Sequence, residues 1–114
     1  MYELRVGVGY VRLHLRFAQT LKDRRKVVQS LTQKLRNEGF SVVDLAGEDP
    51  SPKFAGIGFS YVGRSGGHVE DVLQSAERIF IGDFEIVDAR REVFDFSREE
   101  EVPTPSEEEE KYDP

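Results

Sequence analysis

The chain reads as an α+β protein: a four-stranded antiparallel sheet with two helices on one face. Three observations predict this. Apolar residues alternate with period two around 4–17 and 54–62, two further apolar runs read as strands, and apolar residues recur at helical spacing in two other stretches. The two helical stretches follow the first and third strands. Two right-handed split βαβ units in that order, strand–helix–strand–strand–helix–strand, fold into the ferredoxin-like βαββαβ sandwich. The 114 residues suit a single domain large enough to bury a core.

Residues 4–17 read as the first strand. Leu13, Leu15 and Phe17 alternate with Arg12, His14 and Arg16. Traced backwards, the inward set continues through Val11, Gly9 and Gly7, while Val6, Val8 and Tyr10 take the other face. Two glycines on a packed face mean either close approach of a helix or a bulge near Gly9, and the sequence leaves both open.

The first helix is expected from Thr20 to Gly39. Thr20 and Asp23 have capping-box spacing. Leu21, Val27, Val28, Leu31 and Leu35 form the apolar stripe, and Gly39 supplies a left-handed stop. Phe40–Leu45 is a short strand, and Ala46–Lys53, with Gly47, Pro50 and Pro52, is a loop. Phe54–Val62 is the third strand, with Ala55, Ile57, Phe59 and Tyr61 on one face. Residues 63–67 turn into a second helix with the stripe Val69, Val72, Leu73, Ala76, Ile79 and Phe80. Gly82-Asp83 ends it. The last strand runs from Phe84 to Phe96, its alternation interrupted at Ala89-Arg90-Arg91. The domain is therefore drawn at 1–96. Residues 97–114, rich in Pro and Glu, form an acidic tail expected to be disordered.

The net charge of −6 belongs to that tail. Residues 97–114 hold two cations against eight acidic side chains, whereas residues 1–96 balance fourteen against fourteen. Within the balanced body, residues 20–39 carry six cations against Asp23 and Glu38, so the first helix is a basic face. The absence of cysteine excludes disulfides and thiolate metal sites and fits a reducing cytosol. No apolar run approaches the roughly 20 residues of a membrane span, so a cytoplasmic protein with no membrane partner is expected.

Lys22, Arg24, Arg25 and Lys26 crowd the first two helical turns, where the macrodipole is positive and each cation costs about 0.3–1 kcal/mol. Local violations of this kind mark function. With the first and third strands taken as parallel and central, the turns after them are expected side by side at one end of the sheet. There Arg16, Lys22, Arg25 and Lys26 would meet Arg64, Ser65, Gly66 and Gly67, and two helix N-termini would converge on one anion site suited to phosphate. The dull alternative is a solvated helix face with glycines serving a tight turn.

The run Thr20-Leu21-Lys22-Asp23-Arg24-Arg25-Lys26-Val27-Val28-Gln29-Ser30-Leu31, with Leu35-Arg36, resembles the "SLKEKR-x-V-x-x-SL-x-x-R-L-R" segment of the YlxP-like bacterial family, a small domain of unknown function. The likeness extends through Val42–Leu45, Ala55–Val62 and His68–Leu73, covering residues 4–96. It implies a ferredoxin-like fold and a bacterial cytosolic protein. The family's genes tend to lie beside those of a translation initiation factor and ribosome-binding factor A, which implies work near the ribosome. Relatives often carry a Trp before the third strand where this chain has Ser51-Pro52-Lys53, and the acidic tail lies outside the family pattern.

Other motifs carry less. Gly63-Arg64-Ser65-Gly66 has the letters of a KH GXXG loop but joins a strand to a helix rather than two helices. Gly56–Val62 echoes the RNP1 pattern with Ile57 in place of the first stacking aromatic, and its odd positions are expected to pack under the helices. His14 and His68 are the only histidines; neither has zinc-ligand spacing, and His68 reads as part of a helix start. Asp44, Glu48 and Asp49 lack EF-hand spacing. No catalytic, metal or cofactor constellation stands out. The expectation is a non-enzymatic protein that binds RNA or a ribosomal subunit through its first helix. The alternative is a homodimeric protein-interaction or small anionic-ligand module, with Val6, Val8, Tyr10, Phe84 and Ile86 forming an apolar patch on the helix-free sheet face.

Overall fold

A computed structural model describes residues 1–98. The elements are β1 (Arg5–His14), α1 (Leu21–Asn37), β2 (Ser41–Asp44), β3 (Phe54–Gly63), α2 (Gly66–Ser75) and β4 (Glu85–Asp95). Short 3-10 turns follow β2 and α2. The sheet order is β2-β3-β1-β4 with every pair antiparallel, which is the ferredoxin-like arrangement.

The helices cover one face. Beneath them lie Val11, Leu13, Ala55, Ile57 and Phe59 from the sheet, Val28, Leu31 and Leu35 from α1, and Val69 and Leu73 from α2. Phe59 centres an aromatic group, with Phe40 edge-on at 5.3 Å and Phe80 at 5.9 Å between ring centroids. The odd-numbered residues of the RNP1-like stretch are thus core, and no stacking platform exists on that face.

The glycines of β1 mark close approach. A Cβ at Gly7 would lie 2.6 Å from Val69 and 2.7 Å from Leu73, so α2 sits directly on the strand. A Cβ at Gly9 would lie 2.4 Å from the ring of Phe59. The β1 ladders run unbroken past Gly9 on both sides; the register shift against β4 falls between Arg12 and Leu13. Asp88 opposes Arg12 and Ile86 opposes Leu13, so Val87 is the extra residue.

That bulge corrects the expected apolar patch. Ile86 opposes Leu13 on the helix side, and Phe84 packs against the core. Val6, Val8 and Tyr10 do share the open face, where Val62, Val43 and Phe94 join them by register. The first strand is also shorter than the expected 4–17. It ends at His14, Leu15 donates its N–H to the Lys53 carbonyl at 2.7 Å, and Phe17 is 47% exposed. At the other end, pairing continues past Phe96. Leu4 N–H donates to Ser97 Oγ, and Tyr2 and Arg98 form a bridge. The tail from Glu99 onward lies outside the described residues.

Candidate nucleic-acid interface

The N-terminus of α1 closes as its sequence dictates. Asp23 N–H donates to Thr20 Oγ1 at 3.1 Å, and Asp23 Oδ2 accepts from Thr20 N–H at 3.1 Å and Gln19 N–H at 3.0 Å. The Gln19 and Thr20 backbone donors hold the Asp23 carboxyl below its ordinary range. At the other end Gly39 takes φ +93°, while Gly39 and Phe40 donate to the carbonyls of Arg36 and Leu35. That is a Schellman stop, and it turns Phe40 into the core.

Between these caps the cations divide by helical phase. Lys22, Arg25, Lys26 and Arg36 are exposed. With Gln29 and Gln33 they recur at i, i+3, i+4, i+7, i+11 and i+14, a single stripe about 21 Å long. None forms a salt bridge within 4.0 Å among the described residues, Lys26 attracting Asp23 only at longer range, whereas Arg5, Arg12, Arg16, Arg90 and Arg91 each do.

Arg24 does not belong to this stripe. It shares the buried phase of Val28, Leu31 and Leu35 and is only 8% exposed. Its Nη1 donates to the carbonyls of Asp49 and Ser51, both at 3.0 Å, and of Phe54 at 3.4 Å. Arg24 therefore clamps the loop before β3 and is not available to phosphate. Lys53 strengthens the same corner from the other side, donating to the carbonyls of Arg16 and Ala18 at 2.9 and 3.0 Å. Arg16 is exposed but pairs with Glu85 at 2.9 Å. His14 contacts the same carboxylate at 3.1 Å, and the two partners, His14 first, hold Glu85 below its usual range.

The convergent anion site does not form. β1 and β3 are antiparallel, with Arg5 opposite Gly63 and His14 opposite Phe54. The turn after β1 and the turn after β3 therefore leave opposite ends of the sheet. Nine residue steps, roughly 30 Å, separate them. Arg16, Lys22, Arg25 and Lys26 stand at one end, and Arg64, Ser65, Gly66 and Gly67 at the other. Ser65 caps α2, accepting from His68 N–H at 3.3 Å, and Gly66 and Gly67 are the first residues of that helix. The assembled basic surface is thus linear and belongs to α1 alone. Gln29, Gln33 and Arg36 complete it, and their spacing from Lys22 was the signal in the sequence that would have included them.

Among the described residues no three potential metal-ligating side chains gather, and no helix is long and apolar enough to cross a membrane. His68 sits against Tyr61, 3.2 Å from its hydroxyl.

Fold and surface together define the class: a small ferredoxin-like domain with a cationic stripe along its first helix. The family model described as a protein of unknown function, DUF503, matches residues 6–91, and the chain belongs to that family. None of the curated proteins matches the chain. It is also similar to a solved structure described as "De novo designed protein Foldit4", at 11% identity and a TM-score of 0.41 over 84% of this chain and 99% of that one. A likeness at that level carries no functional weight.

Proposed function

We propose that this is a non-enzymatic, YlxP-like cytoplasmic domain that binds RNA or a ribosomal subunit along α1. The observation that carries the reading is the row of Lys22, Arg25, Lys26 and Arg36, without a salt bridge among the described residues although most other arginines have one. Three of these cations sit near the positive end of the helix dipole, where they work against helix stability. A stripe about 21 Å long suits an extended polyanion better than a single small phosphate, because successive backbone phosphates can engage successive turns.

The test is a fluorescence-anisotropy titration of labelled single-stranded ribosomal RNA fragments across a salt series. The Lys22→Gln/Arg25→Gln/Lys26→Gln variant is expected to bind more weakly. Its slope of log affinity against log salt should be shallower by roughly 0.7 per lost contact. Failure of the intact protein to bind, or an unchanged slope, would discard the reading.

A second reading is a self-associating module. It is favoured by the exposed apolar residues Val8, Val43, Val62 and Phe94 on the helix-free face of the sheet.

A further inference from the structure

We propose that two copies of this chain join edge to edge through β4, antiparallel, on a two-fold axis at Arg91. The proposal rests on the self-association reading and names its seam. β4 is an eleven-residue edge strand, whereas the opposite edge, β2, has four residues and runs straight into a 3-10 turn. β4 contains no proline or lysine; its own edge devices are six charged side chains and the bulge, so a partner strand must match those charges. Its bulge is confined to Val87, which leaves Asp88 to Asp95 regular.

The direction of its backbone groups follows from the ladder to β1. Phe96 and Arg98 donate to the Leu4 and Tyr2 carbonyls. Antiparallel pairing alternates, so the even residues back to Asp88 point their N–H and C=O groups at β1. Ala89, Arg91 and Val93 then turn theirs outward. Among the described residues nothing pairs with them.

Charge selects the register. On the open face β4 presents Asp88, Arg90 and Glu92, with Arg90 already beside Glu92 in its own chain. A two-fold at Arg90 sets Arg90 against Arg90 and Asp88 against Glu92. A two-fold at Glu92 opposes two glutamates. A two-fold at Ala89 runs into the bulge after one residue. A two-fold at Val93 sets Glu92 against Phe94 and Arg90 against Phe96, so neither open-face charge meets an opposite charge across the seam, and its Arg91 would meet Asp95 while already held by Glu70 and Glu77. A two-fold at Arg91 places Arg90 opposite the second copy's Glu92, and Glu92 opposite its Arg90. These are non-hydrogen-bonded positions, where side chains approach most closely. On the helix face Ala89 meets Val93. The two central Arg91 side chains are each neutralised by Glu70 and Glu77 of their own chain, both at 2.8 Å. The product is a continuous eight-stranded sheet with all four helices on one side.

The test is light scattering after size exclusion on the full chain, on Arg90→Glu, on Glu92→Arg and on the double swap. The intact chain is expected at twice its 13.0 kDa mass. Each single swap puts like charges opposite each other twice and should weaken the dimer roughly tenfold or more. The double swap should restore it. Hydrogen exchange on the unaltered protein supplies a readout independent of any variant: the amides of Ala89, Arg91 and Val93 should gain protection as concentration rises. A chain that stays monomeric at all concentrations overturns both the seam and the self-association reading. A dimer indifferent to both single swaps, with those three amides unprotected, overturns the seam alone and moves the contact to the open sheet face.

Discussion

Phe59 packs directly onto Gly9, its register partner across the β1–β3 ladder, and a Cβ at Gly9 would fall 2.4 Å from two atoms of its ring. Phe40 and Phe80 flank that ring, so any shift of it must move them too. Gly9→Ala is therefore expected to cost about 1–3 kcal/mol by overpacking, read as a lower urea midpoint at unchanged slope. Trimming the ring as well, in Gly9→Ala/Phe59→Leu, should cost less than the sum of the two single changes.

Arg24 and Arg25 are adjacent in sequence and should behave oppositely. Arg24→Met leaves the carbonyls of Asp49, Ser51 and Phe54 without their donor and is expected to lose about 1–3 kcal/mol. Amide exchange in residues 49–54 should rise with it. Arg25→Met, on the solvent side, should stay within about 0.5 kcal/mol of the parent.

Replacing Lys22, Arg25 and Lys26 together by Gln removes cations from the positive end of α1. Thermal melting of this variant should match the parent or rise slightly, each removed cation being worth about 0.3–1 kcal/mol at most. Asp23 draws some attraction from Lys26, which trims the gain. A loss above about 1 kcal/mol would make the stripe a structural face.

Asp23 sets part of the acid response. Its folded carboxyl lies below the unfolded value, so its contribution is complete above the usual Asp range, about 4, and is lost as pH falls through the lowered value. Asp23→Asn should be less stable than the parent at neutral pH, with the gap closing in acid. Glu85 and Asp95 shift in the same direction, so some acid slope should survive. Denaturant midpoints from pH 2 to 7 would check both points.

Two truncations separate the end of the domain from the tail. Cutting after Arg98 removes a Pro- and Glu-rich segment without an apolar period and should leave the melting temperature nearly unchanged. Cutting after Phe96 also removes the Ser97 hydroxyl that accepts from Leu4 N–H, and the Tyr2–Arg98 bridge. At about 0.5–1.5 kcal/mol per hydrogen bond, the shorter chain should melt measurably lower.

Element types and order were legible in the sequence because they rest on local periodicity and local caps. Thr20 with Asp23, and Gly39 with Phe40, act within one helical turn of their own positions. The separation of Arg24 from Arg25 was equally local, since the phase of Val28, Leu31 and Leu35 already placed Arg24 inward. The bulge was half legible: the broken alternation near Ala89 announced an irregularity, but only pairing with Arg12 and Leu13 located it at Val87.

Residues 20–39 by themselves determined a capped amphipathic helix with a basic outer stripe, and the alternating and apolar stretches determined four strands, because both depend on neighbours a few positions away. Tertiary structure decided which residues of those elements meet. The antiparallel pairing of β1 with β3 carried Arg64–Gly67 some 30 Å from Lys22. The same packing laid Phe59 on Gly9 and left β4 at an open edge. The opposed direction of β1 and β3 already follows from an antiparallel sheet in which they are neighbours. Side-chain approach, by contrast, is set by contacts between residues far apart in the chain, and no local spacing encodes it.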